Sequence, residues 1–272
     1  FCNFNRVFMI YCDGDSFAGD RDLPLVVTGP DGLEKPLYFR GRRILDAVLE
    51  SLLVMGLREA ENVMLTGCSS GGLASFLHAD YVHGWLSVVG SPLKRFGAVP
   101  FSGFFLLRNN VEGKPIYPME LRRTTELANS TNGLDGGCPA AMADKDHWKC
   151  HFAEYAYPFV KAPIFVLNSA LDLWSIHCIL AAERPSSAFR CSAARGWAEC
   201  IRNPEECNTT QIDMLNAWIT SFESVINVSV TYNKAGNGAF IHSCYTHCEA
   251  QQGLQWNTLA VNGVTMGQAV SK

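Results

Sequence analysis

The sequence predicts an α/β fold: a mostly parallel sheet flanked by helices, in a single domain over residues 1–272. Three observations predict it. Short apolar runs alternate with helical patterns along the chain, the mark of strands and helices taken in turn. The 272 residues are 48% hydrophobic and 18% charged, enough to fill one large core and too apolar for a disordered chain. No internal repeat, charge run or low-complexity stretch divides the chain.

Residues 6–11 (RVFMIY) form a nearly unbroken apolar run, which predicts a strand buried on both faces. Cys12, Asp13 and Gly14 then supply turn chemistry. Ile44, Ala47, Val48, Ser51, Leu52 and Met55 recur at helical spacing, and Gly56 follows as a C-cap. Residues 62–66 (NVMLT) read as the next buried strand, 67–72 as a tight turn and 73–81 as a helix. A strand is expected at 96–101, weakened by Pro100. A helix follows at 118–128, and a buried strand at 163–168 (PIFVLN) ends near Asp172. Residues 211–226 are an amphipathic helix and 238–241 a last short strand before His247. The stretches 129–150 and 184–210 are polar and carry cysteines, so they read as disulfide-stapled insertions.

Charge and cysteine content bound the function. The net charge of −4 argues against a nucleic-acid surface, which needs clustered Lys and Arg. No run of about 18 apolar residues is present to span a membrane. Eleven cysteines point to an oxidising compartment, hence a secreted, extracellular or cell-wall protein. Asn129, Asn208 and Asn227 each open an N-x-Ser/Thr sequon, in keeping with that reading. The pairs expected are Cys138–Cys150 and a bridge within Cys191, Cys200 and Cys207, with Cys12 pairing outside the chain. The N-terminus lacks the features of a signal peptide and enters an apolar run at once, so the chain reads as a mature product or an internal piece.

Gly67-Cys68-Ser69-Ser70-Gly71 fits G-x-S-x-G. In that motif the serine sits on a strained strand-to-helix turn, which lifts Oγ above the sheet and leaves no room for side chains beside it. The next N–H, that of Ser70, would face a developing oxyanion. Cys68 invites a cysteine-nucleophile alternative, but its position turns the side chain inward, which suits a structural cysteine. A serine nucleophile of this kind needs an acid and then a histidine downstream. Asp172 stands where a strand-end acid belongs, and equally where a turn-forming Asp would. His177 follows too closely and reads as a packing histidine. His242 and His247 both remain as candidate bases, with local sequence favouring neither strongly. His242, Cys244, His247 and Cys248 also resemble a metal cluster, but their spacing matches no common zinc pattern, so no metal is expected. No cofactor motif is found.

At these residues the chain resembles the pectin acetylesterase family, which includes plant pectin acetylesterases and the Notum carboxylesterases. The matching segments are YCDGDSFAGD (11–20), LYFRGRRILDAVLESLL (37–53), NVMLTGCSSGGLASFLHAD (62–80), APIFVLNSALDLWSI (162–176), FIHSCYTHCE (240–249) and VNGVTMGQAV (261–270). The resemblance implies an α/β-hydrolase fold, secretion, and cofactor-free hydrolysis of carboxylic esters. It places the nucleophile on Ser69, the acid on Asp172 and the base on His247, the histidine of S-C-x-x-H. It implies removal of O-acetyl groups from cell-wall polysaccharide such as pectin by a monomeric serine esterase. The alternatives are a Notum-like deacylase of a lipidated secreted protein and a non-catalytic binding module that keeps the fold. The sequence departs from the family pattern in two places. The family's Gly-Gly-Trp-Cys-like segment, which supplies a second oxyanion donor, would precede Phe1, so residues 1–272 alone are expected to hydrolyse esters poorly. And Phe101-Ser102-Gly103 stands where the family often carries an Asp.

Overall fold

The computed structural model describes residues 3–271 apart from 135, 188, 189 and 230. Cys2 lies outside the described residues. The chain opens with a hairpin, β1 (Leu25–Thr28) against β2 (Glu34–Leu37), and continues into α1 (Gly41–Val54). Then come β3 (Asn62–Cys68), α2 (Ser70–Val88), β4 (Arg95–Phe101), α3 (Ile116–Ala128) and β5 (Phe165–Ser169). A second hairpin, β6 (Ala182–Ser187) with β7 (Arg190–Ala193), precedes α4 (Thr209–Asn227) and β8 (Gly238–His242). The central sheet is parallel throughout, in the order β3-β4-β5-β8.

Side-chain alternation explains why both faces of this sheet are covered. Ala98, Ile164 and Val166 point into the large core with Leu73, Phe76 and Leu77 of α2 and Phe222 of α4. Their neighbours Val99, Leu167 and Phe240 point the other way, onto Met266, Trp256 and Leu259 of the C-terminal segment. A parallel sheet needs this double cover, because its strands carry apolar residues on both sides. α2 runs longer than the spacing predicts. It is apolar on most faces because it is buried on most faces, with Val82 and Leu86 as enclosed as Leu73.

Pro100 sits inside an internal strand, and the ladder accommodates it. On the β5 side, Ala98 N–H donates to Pro163 O at 2.8 Å and Ser102 N–H to Leu167 O at 3.0 Å. Pro100 takes the position between them, where its missing donor leaves a gap in the β4–β5 ladder.

The strand predicted at 6–11 does not form. That segment forms no regular element and pairs with no strand among the described residues, and Val7, Phe8 and Ile10 are 56%, 89% and 71% exposed. Apolar composition favours an extended chain, but a ladder needs a neighbour to receive its N–H and C=O groups. Only Met9 of the run packs against the core.

Three disulfides staple the insertions: Cys138–Cys150, Cys178–Cys191 and Cys200–Cys207. The first and third are the expected local pairs. Among the described residues, Cys12 and Cys244 have no disulfide partner. The side chains of Asn129, Asn208 and Asn227 are on the surface, and Asn208 also caps α4. Among the described residues, no helix is long and apolar enough to cross a membrane.

Candidate active site

The turn between β3 and α2 carries the nucleophile candidate. Ser69 has φ +58° and ψ −121°, a conformation that side-chain-bearing residues rarely adopt and that surrounding structure must hold. Two glycines make it possible. A Cβ at Gly67 would run into the Gly71 carbonyl, and one at Gly72 would meet Phe101 O at 2.6 Å. The elbow therefore seats directly on the end of β4, where Ser69 N–H donates to Phe101 O at 3.1 Å. Ser70 is the first residue of α2, so its N–H has no intrahelical acceptor and lies at the positive end of the helix.

Asp172 follows β5 by three residues and is buried. One carboxylate oxygen accepts the Ser175 N–H at 2.9 Å, capping a short turn of helix. The other accepts from His247 Nδ1 at 2.6 Å. Asp172 thus caps the turn through one oxygen, as a turn-forming Asp would, and faces a histidine through the other. Donation from Nδ1 leaves His247 Nε2 as the acceptor nitrogen, a tautomer assigned by its partner. Ser69 Oγ has no hydrogen-bond partner among the described residues.

The loop that carries His247 leaves β8 and is tied down at several points. Ser169 Oγ donates to Cys244 O at 2.6 Å, and Leu173 N–H to Thr246 O at 3.1 Å. Cys248 N–H donates to Ser102 Oγ at 2.9 Å. Ser102, within the Phe101-Ser102-Gly103 stretch noted for its missing Asp, therefore helps hold the loop that carries His247. Trp174 stacks near the His247 ring, with centroids 6.5 Å apart. Cys68 is bridged to Cys248, and a ring nitrogen of His247 lies within 4.8 Å of both sulfurs. Cys68 is structural, as its position suggested, but it is a bridge partner and only half-buried.

The other histidines have different occupations. His242 Nε2 pairs with Glu249 Oε1 at 2.5 Å, and its Nδ1 accepts the Cys244 N–H at 3.2 Å. Burial alone would raise the Glu249 carboxyl, but the His242 hydrogen bond and charge outweigh it and hold it below the usual range. With both ring nitrogens engaged, His242 has no lone pair to offer a serine. His177 bonds Ile201 O at 2.6 Å. The suggested metal set is divided, since His242 is spent on Glu249 and Cys248 on a disulfide.

Sequence reasoning did not foresee what the YCDGD segment does. The Tyr11 hydroxyl accepts Ser16 N–H at 2.8 Å and lies beside the Ser70 side chain, so this loop braces the elbow. Asp13 gathers the N–H groups of Asp15, Phe17 and Gly19. Burial pushes Asp15 up to about 7, against the opposing pull of its hydrogen bond with Ser130. A Tyr followed by closely spaced acids was the available signal, but only the fold shows what they face.

Behind Asp15 lie two enclosed histidines. His151 Nε2 is 3.8 Å from Asp15 Oδ2, and both His151 ring nitrogens lack hydrogen-bond partners among the described residues. Burial pushes His151 down to about 3 and His78 to about 4. A histidine with a depressed folded pKa contributes its full stability above about pH 6.5 and loses it as pH falls toward the folded value. His151→Phe should therefore leave melting near pH 7.5 little lowered or raised, and protect the protein at pH 4.5 by about 2 kcal/mol. Melting curves at both pH values test this. A stability difference between variant and wild type that does not change with pH would show that His151 does not titrate on unfolding.

Comparison with known proteins gives consistent matches. A family model described as Pectinacetylesterase matches residues 1–272. Pectin acetylesterase 5 of Arabidopsis thaliana is 34% identical over 259 residues, covering 95% of this chain and 56% of the relative. Palmitoleoyl-protein carboxylesterase NOTUM of Homo sapiens is 29% identical over 178 residues, covering 62% of this chain and 34% of the relative. Among solved structures, the Wnt deacylase Notum from Drosophila superposes with a TM-score of 0.73 at 20% identity, over 96% of this chain and 65% of that one. That likeness establishes a shared α/β-hydrolase-like fold. The chain spans about half the length of the curated plant relatives it matches.

Proposed function

The chain belongs to the pectinacetylesterase family, and from that premise we propose that it carries the catalytic centre of a secreted serine esterase that removes O-acetyl groups from cell-wall polysaccharide. The observation that carries the reading is the His247–Asp172 pair at 2.6 Å beside the strained Ser69 elbow. All three side chains follow the carboxyl ends of parallel strands, where open α/β sheets place their sites.

In this mechanism Ser69 Oγ attacks the acetyl carbonyl and His247 Nε2 takes its proton. Asp172 holds the ring with Nδ1–H inward and stabilises the imidazolium that forms. The Ser70 N–H, at the start of α2, faces the oxygen that gains charge in the tetrahedral intermediate. His247 then returns the proton to the departing sugar hydroxyl, leaving an acetyl-serine. Water, deprotonated by the same nitrogen, releases acetate. The disulfides and the surface sequons support a secreted setting.

The test offers acetylated pectin, an aryl acetate and a palmitoleoylated peptide to the intact protein, with a fluorophosphonate to tag the nucleophile. Acetate release from pectin together with a tag on Ser69 is the expected result. Turnover of the lipidated peptide alone would replace the acetylesterase reading with a Notum-like one. A protein that binds pectin but neither turns over nor tags would be a binding module.

A further inference from the structure

The geometry points to the Cys68–Cys248 disulfide as the device that holds nucleophile and base in register. This inference rests on the esterase reading of the site. Cys68 immediately precedes Ser69, and Cys248 immediately follows His247. One covalent link thus joins the backbone positions flanking the two groups that must exchange a proton.

The topology explains why such a link is needed. Ser69 follows β3 and His247 follows β8, and these are the two outer strands of the four-stranded sheet. Three strand spacings separate them, roughly 14 Å. The base loop must therefore reach across the tops of β5 and β4. Its hydrogen bonds hold it to the strands it crosses: Cys244 O to Ser169 and Thr246 O to Leu173 beyond β5, and Cys248 N–H to Ser102 beyond β4. Asp172, which orients the ring, also belongs to the β5 end. Among the described residues none of these hydrogen bonds reaches β3 or the elbow. The disulfide spans that last gap.

The other three bridges differ in kind. They close stretches of 12, 13 and 7 residues, whereas Cys68–Cys248 closes 180. Each of them includes at least one buried cysteine, while Cys68 and Cys248 are both half-buried at the site. A small thiol reductant should therefore open this bridge first, because exchange depends on access to sulfur. In that exchange dithiothreitol gives up two electrons and two protons and leaves as its cyclic disulfide, and Cys68 and Cys248 become thiols.

Misplacing a catalytic group by about 1 Å can cost on the order of 10²-fold in rate. The Cys68→Ser/Cys248→Ser double variant of the intact protein should accordingly lose about 10- to 100-fold in kcat on an aryl acetate, with KM within about twofold. A Cys200→Ser/Cys207→Ser variant, which removes a local staple, should keep its kcat. The folded wild-type enzyme, titrated with dithiothreitol and mapped by alkylation, should lose turnover in step with the opening of Cys68–Cys248. That arm serves even if the double variant does not fold. Wild-type kcat in the folded double variant, or full turnover after mapping shows the bridge open, would overturn the inference. Ser69→Ala run alongside separates the two ideas. If Ser69→Ala is also active, the esterase reading itself is wrong; if it is inactive, only the role of the bridge falls.

Discussion

Ser69→Ala in the intact protein is expected to lower kcat on an aryl acetate by on the order of 10⁴- to 10⁶-fold while leaving the fold in place. The size of the loss follows from the role. Without Oγ no acyl-enzyme can form, and His247 and the Ser70 N–H remain only to assist water, which recovers little of the rate. The intact fold follows from the surroundings. Ser69 Oγ has no hydrogen-bond partner among the described residues, so its removal orphans nothing. The backbone at φ +58° is held by Gly67, Gly72 and the Ser69 N–H bond to Phe101, none of which changes. An alanine keeps the same Cβ and meets the same strain. Circular dichroism and melting should match wild type while turnover disappears. A folded Ser69→Ala protein that hydrolyses at near wild-type rate would remove Ser69 from the chemistry, and the elbow would then be a tight structural turn.

What the sequence reveals about this molecule depends on how local the cause is. The elbow is legible because its constraints lie within a few residues: the glycines, the apolar strand before and the helix after. α1 and α4 are legible as helices from their 3.6-residue period, but the face of α1 is not: none of Ile44, Ala47, Val48, Ser51, Leu52 and Met55 is buried, and the helix packs through Gly41, Leu45 and Leu49. Asp172 is only half-legible, because a capping aspartate and one that also faces a histidine look alike until that histidine, 75 residues away, is seen against it. The run at 6–11 misled because composition reports what a strand would bury and says nothing of whether a partner lies beside it. The Cys68–Cys248 link and the Tyr11 brace were illegible for a related reason. Both join segments that only the strand order brings together, and no spacing along the chain encodes that order.

The choice between His242 and His247 gives the second large effect. Local sequence left it open and the family resemblance tipped it. The geometry supplies an independent argument, and one that predicts different failures for the two variants. His247→Ala removes the nitrogen that takes the serine proton, and kcat should fall by on the order of 10⁴- to 10⁶-fold with little change in melting. His247 is half-buried and its ring is held chiefly by Asp172; Asp172 retains the Ser175 N–H when the ring is gone. His242→Ala removes one half of an enclosed pair, His242 and Glu249 being 7% and 2% exposed. It strands the Glu249 carboxylate, and removing one partner of a buried pair typically costs about 3–5 kcal/mol of stability. The His242 variant should therefore melt earlier, yet its folded fraction should label with a fluorophosphonate at close to the wild-type rate. Its companion His242→Ala/Glu249→Leu should recover part of the melting loss, since no charge is then left buried. Kinetics and melting measured together decide the matter. Catalytic loss confined to a well-folded His242→Ala would reverse the assignment, and would require a proton path through a ring whose two nitrogens are already committed to Glu249 and the Cys244 N–H.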